Sequence, residues 1–276
     1  MADGGIGKIG TRMVETLPSS RLRDGKILVV GVGGLGSPAA LALARAGVGT
    51  IGLVDPDTVE LSNLQRQILH HTPDLGRSKV ESAREKLLRL NPAVTVAAYR
   101  ERLHAGNLLR LFGAYDFIID ATDGLATKFL INDGAVLLGK PFSYGGIVQF
   151  TGQTLTVLPA QTTCLRCLFP VPPAADDIPT CQEAGIIGSL AGSLGLVQAA
   201  EAVKYLNGEG ELLTDRLLTY DALALRWRAV TVRRNPRCPL CGPRPTITAL
   251  PAEEQEQTES CSLDRPPPTP SGEEYV

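Results

Sequence analysis

Four consecutive apolar residues, Ile27-Leu28-Val29-Val30, run into Gly31. A short apolar run that ends at a turn residue predicts a strand buried on both faces. Runs of the same kind occur at Thr50–Asp55 and Tyr115–Asp120. Between them the period changes. Ser37–Ala46 is a run of small apolar residues with Pro38 in its first turn and Gly47 just past its end, which predicts a helix. Lys79–Leu90 carries a second helical pattern. Strands alternating with helices predict an α/β fold: a Rossmann-like, doubly wound, mostly parallel sheet covered on both faces. Ile147–Leu158 and Leu217–Arg234 are rich in Thr and Val with short connections, and predict antiparallel strands that extend the sheet. Ala184–Ala200 holds 17 residues without a charge, mostly Gly, Ser and Ala. A membrane span needs about 20 apolar residues, so a buried helix is expected there and no membrane association.

Composition narrows the class. The chain has 276 residues, 43% of them hydrophobic. It can bury a large core, which excludes a disordered chain or a small disulfide scaffold. The net charge of −2 argues against a generic nucleic-acid binder. That charge is uneven: residues up to Gly242 carry +3, and those from Pro243 onward carry −5 together with the run Pro266-Pro267-Pro268. The expected organisation is an N-terminal segment over 1–23, one nucleotide-binding domain over 24–242, and an acidic, Pro-rich disordered tail over 243–276. The start lacks the apolar stretch of a signal peptide, so a cytoplasmic protein is expected.

Candidate chemistry begins with the cysteines. Cys164-Leu-Arg-Cys167 and Cys238-Pro-Leu-Cys241 are two CxxC pairs about 70 residues apart. Each pair suits one metal ion, and together they suit a closed four-cysteine zinc site that clips the end of the domain to its middle. Disulfides or a redox pair are the alternatives.

Gly31-x-Gly33-x-x-Gly36 sits between a predicted strand and a predicted helix, with Asp55 at the end of the next strand. This is the pattern of a nucleotide site: a tight glycine turn, a helix N-terminus for phosphate and a carboxylate for ribose. Alone it does not separate NAD from ATP. Past Asp55 the chain places Asn63, Arg66 and Gln67, and then Lys79. Arg66 and Lys79 are suited to neutralise a triphosphate and Asn63 to orient it. Asp120-Ala-Thr-Asp123 puts two carboxylates at a strand end, where Asp123 suits Mg²⁺.

Taken together, GVGGLGSP (31–38), AGVG (46–49), LVDPDTVELSNLQRQ (53–67), GRSKVESA (76–83), DATD (120–123), PTCQEAGIIG (179–188) and both CxxC pairs resemble the ubiquitin-activating superfamily. The resemblance is to its bacterial adenylyltransferases for sulfur carriers, of the molybdopterin and thiamin pathways, and covers roughly residues 24–242. It implies adenylation of the C-terminal glycine of a small ubiquitin-like carrier protein ending in Gly-Gly, with ATP, Mg²⁺ and Zn²⁺ as cofactors. It also implies a homodimer, with a sulfur-donor protein as a further partner. Carried onto this chain, it assigns nucleotide binding to Gly31, Gly33, Gly34, Gly36, Asp55, Asp57, Asn63, Arg66, Lys79 and Asp123. Arg66, Lys79, Asp123 and Cys181 would serve catalysis. Zinc would fall to Cys164, Cys167, Cys238 and Cys241. Carrier contact is expected around 169–187. Two departures stand out: Gly124 where relatives commonly have Asn, and no Arg-Tyr-x-Arg-Gln segment before Asp24. A non-catalytic superfamily member and an NAD-dependent oxidoreductase are the competing readings.

Overall fold

The computed structural model describes residues 19–173 and 187–251. In chain order the elements are α1 (Ser20–Asp24), β1 (Lys26–Val30), α2 (Gly36–Ala46), β2 (Thr50–Val54), α3 (Lys79–Leu90), β3 (Thr95–Tyr99), α4 (Ala105–Gly113), β4 (Phe117–Asp120) and α5 (Leu125–Leu137). Then follow β5 (Phe142–Val148), β6 (Thr151–Val157), α6 (Leu165–Leu168), α7 (Gly188–Asn207), β7 (Arg216–Asp221) and β8 (Arg226–Thr231). The strands form one eight-stranded sheet in the order β3-β2-β1-β4-β5-β6-β7-β8. The first five are parallel and the last three are antiparallel, as the sequence predicts.

Alternation along the central strands explains why both faces are covered. Ile27 and Val29 of β1 join one core cluster with Ile51 and Leu53 of β2 and Phe117 and Ile119 of β4. Leu28, Val30, Val54 and Ile118 point the other way and join a second cluster. The first cluster is closed by α2, α3 and α7 through residues such as Leu43, Val80, Leu87 and Leu194. The second is closed by α4 and α5 through Leu108, Phe112, Phe129 and Ile131, and it also contains Cys164, Cys167 and Cys238. Burying both faces of a five-residue strand makes an unbroken apolar run necessary.

Strand order reverses between β1 and β4: the chain leaves β1 toward β2 and β3, then crosses back to β4 and β5. Crevices for ligands open at the carboxyl ends of strands at such a switch point. At the end of β1 the turn depends on two glycines. Gly31 has φ +90°, in the left-handed region. At Gly36 a Cβ would stand 1.9 Å from the Gly31 carbonyl oxygen, so only a bare backbone lets α2 start this close to the strand end.

Several boundaries differ from the sequence expectation. Ile147–Leu158 is not one strand: β5 ends at Val148, Gln149 turns with φ 53°, and β6 begins at Thr151. Leu217–Arg234 is likewise a hairpin, β7–β8. Strand β4 starts at Phe117: at Asp116 the backbone N–H still donates to the Lys26 carbonyl at 2.9 Å, but the Lys26 N–H is taken by the Asp116 carboxylate at 2.9 Å instead of a backbone carbonyl. Helix α7 continues past Ala200 to Asn207 and stops at Gly208, φ 68°. The domain edges also extend further than expected. Leu22 of α1 lies in the first core cluster, within the segment assigned to 1–23. Ile247 and Leu250, assigned to the tail, pack against the second cluster. The remainder of that tail, 252–276, lies outside the described residues. Among the described residues no helix is long and apolar enough to cross a membrane.

Gly36→Ala puts a methyl group into the Gly31 carbonyl, and the turn must open to admit it. The expected outcome is a loss of about 1–3 kcal/mol of unfolding free energy, measured by urea denaturation.

Candidate functional site

The switch-point crevice is lined by Gly31, Gly33, Gly34, Asp55, Asp57, Arg66, Lys79 and Asp123. Eight of the ten sequence-predicted nucleotide residues therefore share one cleft. The other two, Gly36 and Asn63, do not line it. Gly36 acts in packing, through its contact with Gly31. Asn63 is spent on its own turn, where its Oδ1 accepts from the Glu60 N–H at 3.3 Å and its Nδ2 donates to Ser62 Oγ at 3.3 Å.

Asp55 anchors the glycine turn. Its Oδ2 accepts the Val32 N–H at 2.7 Å and its Oδ1 accepts the Asp57 N–H at 3.0 Å. Burial pushes the Asp55 carboxyl above its ordinary pKa, against the opposing pull of Lys79. Among the described residues the next N–H groups, Gly33 and Gly34, find no acceptor. Free N–H groups before a helix N-terminus favour an anion. The Ser37 hydroxyl donates back to the Val32 carbonyl at 3.2 Å.

Lys79 is buried at the start of α3, 2.7 Å from Asp57 and 3.9 Å from Asp55. Arg66 reaches across the mouth and donates to the Ser62 carbonyl at 3.0 Å. On the far wall Asp123 is exposed and makes no hydrogen bond or ion pair with the described residues. Gly124 caps α5 with φ −77°, so its backbone does not require glycine.

Three residues of this neighbourhood were given no role by sequence reasoning. Asp120, at the end of β4, is fully buried and accepts from the Thr122 N–H and hydroxyl at 3.1 and 2.7 Å. It shapes the loop that carries Asp123. Lys128, buried on α5, stands 3.4 Å from the Asp120 carboxylate. The same ammonium donates to the Thr122 carbonyl at 2.7 Å and to the Gly145 carbonyl. A single Lys in the helix LATKFLINDGAVL was the only sequence signal for it. Gln67 lines the cleft with its Oε1 buried and unpartnered. Such an orphan costs about 1–3 kcal/mol until something meets it.

The four cysteines come together on the second core face. Their ligand atoms all lie within 4.8 Å of one another. Sγ–Sγ distances are 3.9 Å for Cys164–Cys167, 3.7 Å for Cys164–Cys238, 3.5 Å for Cys164–Cys241 and 3.3 Å for Cys167–Cys241. A tetrahedron with metal–sulfur bonds of about 2.3 Å has edges of about 3.8 Å, so the cluster fits a four-coordinate metal. These lengths exclude disulfides. Helix α5 holds the first CxxC turn: Asn132 Oδ1 accepts the Leu165 N–H at 2.8 Å, and Asp133 pairs with Arg166 at 2.6 Å. Arg234 holds the second by donating to the Cys241 carbonyl at 2.8 Å. A hydrogen bond from Cys164 holds Cys167 down to about 4, while the same contact and burial push Cys164 up. Cys181, and the expected carrier contact over 174–186, lie outside the described residues.

A family model described as the ThiF family matches residues 7–240. The chain is 48% identical over 235 residues to the sulfur carrier protein adenylyltransferase of Thermus thermophilus, covering 83% of this chain and 87% of that one. It is 45% identical over 223 residues to the probable adenylyltransferase/sulfurtransferase MoeZ of Mycobacterium tuberculosis, covering 79% of this chain but only 57% of that protein. Among solved structures, E. coli MccB with MccA-N7isoASN overlays with a TM-score of 0.73 at 22% identity, covering 80% of this chain and 68% of that one. MccB with ATP overlays at 0.71, also at 22% identity, with 80% and 67% covered. At that identity the likeness is one of fold.

Replacing Lys128 with Met leaves the buried Asp120 without its cation. The expected outcome is a loss of about 3–5 kcal/mol, measured by thermal and urea unfolding.

Proposed function

Because the chain belongs to the ThiF family, we propose that it uses ATP to adenylate the C-terminal glycine of a small ubiquitin-like sulfur-carrier protein. The observation that carries this reading is one cleft lined at once by the glycine turn, Asp55, Arg66, Lys79 and Asp123. An NAD site uses the turn and Asp55 but leaves two cations and a free carboxylate on the far wall without work. The relatives' names, sulfur carrier protein adenylyltransferase and adenylyltransferase/sulfurtransferase, support the same reaction class.

In the proposed reaction a carboxylate oxygen of the carrier's terminal glycine attacks the α-phosphorus of ATP. The bond from the α-phosphorus to the bridging oxygen breaks, and pyrophosphate leaves with the electron pair. The products are acyl-adenylate and pyrophosphate. Catalysis here is mainly positioning and charge neutralisation. The Gly33 and Gly34 N–H groups take phosphate oxygens, and Asp55 takes the ribose hydroxyls with the lone pairs left to it. Lys79 gives up part of its contact with Asp57 to meet the polyphosphate, and Arg66 swings from the Ser62 carbonyl to do the same. The Gln67 amide finds its missing partner on the nucleotide.

Asp123 fits Mg²⁺, which favours few carboxylates plus phosphate oxygens. When bound, the ion neutralises phosphate charge. Zn²⁺ fits the four-cysteine cluster and serves structure, tying residues 238–241 to the loop before α6. The acyl-adenylate is then open to sulfur transfer from a donor protein, with Cys181 as the candidate thiol. A Gly-Gly carrier terminus, a homodimer and a cytoplasmic location complete the proposal.

The test is ATP–pyrophosphate exchange with candidate β-grasp proteins ending in Gly-Gly. Exchange is expected only with ATP and a matching carrier, and Asp123→Ala is expected to lower it by at least about 100-fold. ATP-independent NAD binding in its place would overturn the proposal. Elemental analysis is expected to give close to one zinc per chain, lost in Cys238→Ser.

A further inference from the structure

His70 is a buried titratable group to which the proposed reaction gives no task. It lies just past Gln67, 3% exposed. Its Nε2 is 3.2 Å from the Val32 carbonyl oxygen and its Nδ1 is 3.0 Å from Ser82 Oγ. The far side of Ser82 is occupied by Lys86, whose Nζ donates to Ser82 Oγ at 2.7 Å. Lys86 is held in turn by Asp74, which also accepts the His71 N–H at 2.8 Å and Arg77 at 3.0 Å.

The Val32 end of this chain of contacts fixes the proton arrangement, and the Lys86 end is compatible with it. A carbonyl only accepts, so Nε2 must carry the hydrogen that meets Val32. An ammonium only donates, so Ser82 Oγ accepts from Lys86 and its own proton can go to Nδ1 or to the Asp74 carboxylate; with the ring hydrogen on Nε2, a neutral ring leaves Nδ1 bare and able to accept it. His70 is then neutral, in one tautomer, with both ring nitrogens used. The charged groups around it are Lys86, Asp74 and Lys79, and from the glycine turn the Val32 carbonyl faces it. Burial, with Lys86 and Lys79 nearby, lowers its pKa to about 4.

Val32 is the residue on which this contact acts. Asp55 holds its N–H at 2.7 Å, and His70 and Ser37 hold its C=O at 3.2 Å each. The N–H that Asp55 holds belongs to the Gly31–Val32 peptide, and the C=O that His70 and Ser37 hold belongs to the Val32–Gly33 peptide, whose other polar end is the Gly33 N–H; holding both planes fixes where the Gly33 N–H points, and the Gly34 N–H follows it. We propose that His70, as the Nε2–H tautomer fixed by the Val32 carbonyl and accommodated by Ser82 and Lys86, is a positioning residue that aims the glycine turn at the nucleotide. The functional half of this inference rests on the nucleotide reading of the cleft; the tautomer lock does not.

Two isosteric variants separate positioning from bulk. In His70→Gln the amide nitrogen falls near the Nε2 position and still donates to Val32. In His70→Asn the amide reaches only the Nδ1 position, and the Val32 contact is lost. MgATP binding by calorimetry is expected to weaken about tenfold in His70→Asn, the worth of one hydrogen bond of ordinary strength, and to stay within about threefold of the parent in His70→Gln. Both variants are to be checked for equal helical content and cooperative unfolding. Equal losses in the two variants, or none in either, would overturn the positioning role. Nitrogen-15 NMR of the imidazole in the ATP-free protein is expected to show protonated Nε2 and bare Nδ1 at pH 7, shifting toward mixed tautomers in Ser82→Ala. A protonated Nδ1 in the parent protein would overturn the lock. If the parent protein bound no ATP while the tautomer was as expected, the nucleotide reading would fall and the lock would stand.

Discussion

One carboxylate holds the switch point together. Asp55 leaves β2 just after its last ladder residue and uses one oxygen for the Val32 N–H and the other for the Asp57 N–H. The first contact joins the end of β2 to the turn after β1. The second fixes the loop that offers Asp57 to Lys79 at 2.7 Å. A buried carboxylate is costly unless hydrogen-bonded and paired, and here both conditions are met by backbone N–H groups and a nearby ammonium. That tie acts together with the Gly31 N–H on the Val54 carbonyl at 2.8 Å and the contacts on the Val32 carbonyl to give the glycine turn its direction.

The opposite wall is built on the same principle with the charges exchanged. Lys128 is buried and satisfied by two carbonyls and the Asp120 carboxylate. Asp120 in turn shapes the loop that carries Asp123. Gln198 of α7 adds a third strut by donating to the carbonyls of Asp120 and Ser143 at 2.8 and 3.1 Å. Of the groups suited to chemistry, Asp123 is exposed and Arg66 half-buried, while Asp120 and Lys128, which shape the loop of Asp123, are buried. The four-cysteine cluster lies on the second core face with α5 as its support, so the helix that carries Lys128 also holds the first CxxC turn. Metal site and nucleotide cleft therefore share one helix.

What could be read from the sequence followed locality. The strand-turn-helix at residues 26–46 is legible because the β1 run, Gly31 and Pro38 are neighbours in the chain. The two CxxC pairs are legible because each is a four-residue motif with one good use. The hairpins at 149–150 and 222–225 were blurred because Thr- and Val-rich runs look continuous when a two- or four-residue turn lacks a glycine. Lys128 and His70 were passed over for another reason. Each depends on a backbone carbonyl, of Gly145 and of Val32, that carries no side-chain signature and is 17 and 38 residues away. Asn63 sits in a polar run, and its side chain also meets the turn that the same run forms, a contact with no signature in the sequence. The C-terminal edge was drawn from the second CxxC pair and the change in charge and composition, which misses Ile247 and Leu250 among prolines and polar residues.

The central claim is that the two tied peptides on either side of Val32 leave the Gly33 and Gly34 N–H groups free for a nucleotide. Amide NMR shifts followed during titration with MgATP test it residue by residue. The Gly33 and Gly34 amide signals are expected to move strongly and become protected from exchange. The Val32 amide, already bound to Asp55, should stay nearly still. Saturable ATP binding that left Gly33 and Gly34 unmoved, or that released Val32 from Asp55, would contradict the account.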